Sequence, residues 1–140
     1  MKNISRSSIL GVTLLEIMLV LAIAAMIIVM SVRYYQTAQT SSQANAFMNQ
    51  INAITGAVEN LAVGGNYGAV NVADLTNMLP TGALTAVPWG AGATFALTAN
   101  GYTFTYPAAA STLCNIITPK FAALNKYTFT CTTITYNSSK

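Results

Sequence analysis

Apolar residues run almost without a break over residues 12–32, VTLLEIMLVLAIAAMIIVMSV, about 21 positions or roughly 31 Å of helix. That length suffices to cross a bilayer, and Glu16 is the one charged side chain within it. A short basic leader, MKNISRSSILG, precedes the run and Arg33 follows it, so charge counting keeps the leader cytoplasmic and exports the rest. After Arg33 the pattern turns amphipathic. Phe47, Ile51, Ile54, Val58 and Leu61 recur at helical spacing and form one stripe, read as a helix packed on its own domain. Gly64-Gly65 is a stop signal. One helix from Val12 to about Leu61 is expected, its first half free of the head, with Tyr34, Tyr35 and Gln36 at the exit from the bilayer zone.

From residue 64 onward the period changes to that of strands. Residues 71–80, NVADLTNMLP, predict a short capped helix ended by proline. Residues 94–98 and 102–106 flank Ala99-Asn100-Gly101, and an Asn-Gly pair between alternating runs signals a hairpin. A third strand is expected over 127–136. Its Tyr-Thr-Phe-Thr start echoes residues 102–105, read as shared strand chemistry rather than a true repeat. The fold class predicted is α+β: a long N-terminal helix, half apolar and half amphipathic, packed on an antiparallel β-sheet head in a lollipop arrangement.

Composition sharpens this picture. Hydrophobic residues make up 54% of the 140-residue chain and charged residues only 6%, against a usual charged share of about 25%. Some apolar surface must therefore be buried outside an ordinary core. Histidine is absent and there are two cysteines, so neither a zinc cluster nor a Ser-His or Cys-His pair can be assembled, and no enzyme or cofactor is expected. The net charge of +3 is spread over scattered Lys and Arg, which argues against a nucleic-acid partner.

Two processing schemes suit the N-terminus. A secretory signal would be cut after the apolar run, near Ala22-Ile23-Ala24, leaving an apolar stub and placing Glu16 inside a very short hydrophobic region, at a cost of about 3 kcal/mol. Cleavage between Gly11 and Val12 instead retains the apolar helix and makes Glu16 the fifth mature residue. Gly11, then Val12-Thr13-Leu14-Leu15-Glu16 and a long apolar run, resembles the class III signal of type IV pilins and pseudopilins. Starting the mature chain with Val rather than Phe, after a slightly longer leader, leans toward the type IVb group. The head, with its Pro88-Trp89-Gly90 turn, hairpin and two Cys-containing elements, resembles loosely the bundle-forming and conjugative thin-pilus pilins.

That resemblance implies a prepilin peptidase that cuts after Gly11 and methylates the amine of Val12. It implies a homo-oligomeric helical filament in which Glu16 neutralises the Val12 amine of a neighbour while Leu14, Leu15 and nearby residues supply burial. A carboxylate at the end of a membrane helix also has a plainer explanation, reaching the headgroup layer beside the positive helix end. An assembly ATPase and platform proteins would extract the subunit from the inner membrane into an extracellular pilus. The implied map is leader 1–11, membrane and assembly helix 12–33, amphipathic half 34–63 and head 64–140.

In an exported head, Cys114 and Cys131 can oxidise, closing a loop of about 17 residues worth roughly 3 kcal/mol; two reduced buried thiols are the alternative. Such a bridge matches the one that bounds the C-terminal variable region in type IV pilins. Trp89 reads as a core anchor rather than a surface contact. A pseudopilin of a type II secretion system or a minor pilin is the alternative job for the same shape, but the pseudopilin's calcium loop needs clustered acids and none occurs from Pro88 to Lys140, so no metal is expected. A single-span protein with a binding or enzymatic head is a third reading.

Overall fold

The computed structural model describes residues 7–139, with side chains from residue 13. Its first element, α1 (Ser7–Leu61), contributes to two compact units that divide between Gln39 and Thr40. In the second unit, α1 carries Phe47, Ile51, Ile54 and Val58, all fully buried, and the half-buried Leu61. The spacing-of-three-and-four stripe is therefore the helical wall of the core, each large side chain contributing roughly 1.5–3 kcal/mol by leaving water. The helix ends where Gly64 and Gly65 take positive φ, 73° and 79°, conformations that cost other residues steric strain.

Two short 3-10 turns, Val63–Gly65 and Tyr67–Ala69, lead to α2 (Val72–Met78), whose first turn is capped by Asn71 accepting a hydrogen bond from the Ala73 amide at 3.0 Å. A two-stranded ribbon follows, β1 (Ala86–Val87) with β2 (Gly90–Ala91), turning at Pro88-Trp89. The main sheet comprises β3 (Thr94–Thr98), β4 (Gly101–Thr105), β5 (Tyr127–Phe129) and β6 (Thr133–Asn137), all antiparallel in the order β3-β4-β6-β5. Between β4 and β5 lies α3 (Ser111–Ala122), burying Leu113, Ile117 and Phe121. The α+β class, a long N-terminal helix followed by an antiparallel sheet, is what the chain adopts.

Two sequence expectations need correction. The hairpin at 94–106 exists, but Gly101 is the first residue of β4, paired with Thr98, and the turn is Ala99-Asn100 with no positive φ at either residue. Glycine is needed at 101 for another reason: a Cβ there would lie 2.0 Å from the Tyr136 carbonyl oxygen. Residues 127–136 form two strands, not one. Their break is closed by Thr130, whose hydroxyl accepts from the Thr133 amide at 2.9 Å and whose amide donates to the Thr133 carbonyl at 2.8 Å.

The echoed Tyr-Thr-Phe segments turn out to be the two neighbours of β6. Tyr102 and Tyr127 both pair with Tyr136, Thr103 and Thr128 with Thr135, and Phe104 and Phe129 with Ile134. Strand alternation sends the aromatic and Ile rows toward α1 and α3 and leaves the threonine rows outward.

Candidate functional site on the uncovered apolar helix

Every residue from Thr13 to Ala38 is exposed. This is the reverse of what an apolar helix does inside a water-soluble domain, where its face is covered by the chain's own elements. Leu14 and Leu15 are 63% and 69% exposed, and the large side chains from Ile17 through Val32 are similarly open. The segment is long and apolar enough to cross a membrane. Two of its hydroxyls are satisfied locally: that of Ser31 donates to the Ile27 carbonyl at 2.8 Å and that of Thr37 to the Arg33 carbonyl at 3.1 Å. Neither hydroxyl therefore brings an unsatisfied donor into an apolar surrounding.

Glu16 sits one turn after Val12 and shares a shallow apolar hollow with Thr13, Ile17, Val20 and Leu21. A carboxylate in that setting, once water is excluded, requires a cation to stay ionised. Leu14 and Leu15 flank it on the same helix. Gly11 and Val12 lie within α1 by their backbone, and their side chains fall outside the described residues, as do the cleavage and methylation expected there.

In the second unit, Cys114 of α3 and Cys131 of the β5–β6 turn form a disulfide, with Cα atoms 5.6 Å apart and a sequence separation of 17. Backbone bonds from Ala109 to the Cys131 carbonyl, 3.2 Å, and from Tyr106 to the Thr132 carbonyl, 2.8 Å, hold the same turn. Trp89 is a core anchor: its Nε1 donates to the Pro107 carbonyl at 2.9 Å, and its ring centroid lies 4.9 Å from that of Phe47.

Sequence reasoning missed a polar seam between α1 and the sheet. The buried Thr55 hydroxyl lies 2.7 Å from the Tyr102 hydroxyl and 2.9 Å from that of Tyr127, and Glu59 accepts a hydrogen bond from Tyr136. Burial pushes the Tyr102, Tyr127 and Tyr136 hydroxyls above their ordinary range; the bond to Thr55 partly offsets this at the first two, and the neighbouring Glu59 adds to it at the third. Burial alone does the same at Tyr106. A signal existed: Thr55 interrupts the buried stripe beside Ile51 and Ile54, and a polar residue there needs partners. Gln50 was missed as well. Its Nε2 donates to the carbonyls of Ala83 and Ala86, at 2.6 and 2.7 Å, tying β1 and the loop before it to the helix. Among the described residues no group of His, Cys, Asp and Glu is placed to hold a metal ion. Comparison with protein-family models, with curated proteins and with solved structures returned no match.

Proposed function

We propose that this chain is a structural subunit of a bacterial type IV pilus, of the type IVb kind, and not an enzyme. The observation that carries the reading is the uncovered apolar face of residues 13–32, interrupted by one carboxylate five residues after Gly11. Such a face needs cover. A bilayer provides it for a single copy, and other copies of the same helix provide it in a filament, where burial of each Leu or Ile contributes roughly 1.5–3 kcal/mol.

In this scheme a prepilin peptidase cuts after Gly11 and methylates the Val12 amine. The precursor spans the inner membrane once, and an assembly ATPase with its platform proteins moves the subunit outward into an extracellular filament. Inside the filament Glu16 loses both headgroups and water. The amine of Val12 in an adjacent copy, a cation created by the cleavage, restores its partner and fixes the axial register, while Leu14 and Leu15 pack around the pair.

Replacing Glu16 by Ala tests this. The variant is expected to be processed and membrane-inserted but to yield no filaments by electron microscopy, and a normal filament yield refutes the pairing. Mass spectrometry of the mature chain checks the processing step, with a methylated Val12 expected at the N-terminus; a chain that starts beyond Ala24 would remove the reading altogether.

A further inference from the structure

Glu16 lies near the start of the apolar run of α1 and Arg33 lies just after its end. Glu16 and Arg33 are 17 positions apart, about 25 Å along a helix, a little less than the roughly 30 Å of a bilayer's hydrocarbon. Just past Arg33 come Tyr34 and Tyr35, 80% and 68% exposed, the side chains that favour the headgroup level because one end is apolar and the other wet.

Below Arg33 the helix surface is shaped. Ala25, Met26, Val29, Met30 and Arg33 line one shallow hollow of about 490 Å³. Positions 26, 29, 30 and 33 are separated by three, four and seven residues, so they share a face. Ala25 leaves room beside them, and the two methionines are flexible enough to follow an irregular chain. Its lining is apolar at Ala25, Met26, Val29 and Met30 and cationic at Arg33. No acid occurs in the chain between Glu16 and Glu59, so nothing nearby in the sequence neutralises the guanidinium.

We propose that this face binds one membrane glycerophospholipid, with its phosphate on the Arg33 guanidinium and an acyl chain along Met26, Val29 and Met30. Arginine suits the task because its planar fork makes paired, charge-assisted contacts to phosphate oxygens and stays charged at the edge of an apolar layer. The bound lipid holds the subunit at a defined depth, with Arg33 at the outer headgroup layer. The inference rests on the reading of α1 as a membrane span before assembly. A carboxylate from a second copy is the competing occupant of the guanidinium.

Arg6 and Arg33 are the only arginines in the chain, so Arg6→Lys leaves a single site for carbon-13 labelling of the guanidinium carbon. The full-length variant is reconstituted in vesicles of phosphatidylethanolamine and phosphatidylglycerol, and solid-state NMR measures dephasing of that carbon by lipid phosphorus. The expected result is clear dephasing, for a separation of about 4 Å set by N–H to oxygen contacts, and its loss in a phosphate-free detergent. Amide hydrogen exchange over residues 13–32 reports insertion in the same sample. Protected amides without dephasing by phosphorus, or with dephasing only by a labelled carboxylate of another copy, overturn the lipid site and leave the membrane-span reading standing. Unprotected amides overturn both.

Discussion

Gly101→Ala sets two effects against each other, and the structure decides which is larger. Gly101 does not have a positive φ, so alanine is allowed there by backbone conformation and would gain about 0.5–1 kcal/mol by restricting the unfolded chain. The added Cβ, however, would meet the Tyr136 carbonyl oxygen at 2.0 Å, its carbon at 2.9 Å and the Tyr136 ring at 3.2 Å. Ordinary contact requires more than 1 Å of relief, and the obstacle is backbone of the adjacent strand, which cannot rotate away. Relief means opening the β4–β6 pairing at Gly101 and Asn137, next to the 2.9 Å bond from Ser138 to the Asn100 carbonyl. Overpacking of this kind costs about 1–3 kcal/mol, and a lost ladder bond about 1 kcal/mol more. The net expectation is a destabilisation of roughly 1–3 kcal/mol, or about 4–15 °C in Tm for a unit of this size. Gly56→Ala is the control, because nothing lies within 4 Å of its added Cβ and it sits inside α1, where alanine is favoured by about 1 kcal/mol. Thermal and denaturant unfolding of the full chain in detergent, followed by circular dichroism, reads both. A Gly101→Ala protein as stable as the parent would refute the close-approach argument.

Two other measurements probe the head. Replacing both Cys114 and Cys131 by Ala is expected to lower its stability by about 3 kcal/mol through the freed 17-residue loop; two titratable thiols in the native, unreduced protein would contradict the bridge. Alkali should unfold the head through Tyr102, Tyr106, Tyr127 and Tyr136, whose hydroxyls burial holds above their ordinary pKa of about 10. Below that pH they are protonated in both states. Above it the unfolded chain releases protons that the folded chain retains, so stability falls by up to about 1.4 kcal/mol per pH unit for each, and a stability flat to pH 12 in denaturant titrations would refute the seam.

The helical parts were the most legible because their cues are local. A stripe at three- and four-residue spacing, a glycine pair and an Asn cap each have one plain reading, and Phe47 through Val58, Gly64-Gly65 and Asn71 follow it. Strand breaks were harder. Thr130-Cys131-Thr132 continues the β-branched character of its surroundings and contains neither Gly nor Pro, so a turn closed by threonine hydroxyls looks like uninterrupted strand. Gly101 misled in the opposite way: beside Asn100 it imitates a turn glycine, while its actual constraint comes from Tyr136, 35 positions along the chain. The ribbon at Ala86–Val87 and Gly90–Ala91 was not foreseen as a separate pairing, since two-residue strands carry almost no periodicity. As for the candidate site, the apolar run and Glu16 could be read directly, whereas the shape of the hollow beneath Arg33 required coordinates.

The order of the main sheet has a temporal consequence. Its penultimate member in space, β6, is made after the other three, yet among the described strands it alone touches both β4 and β5. A chain synthesised from its N-terminus can form the β3–β4 hairpin early, but β5 has no partner until residues 133–137 arrive. Removing residues 133–137 would thus strand two ladders at once, because β4 would lose one of its neighbours and β5 the strand it pairs with.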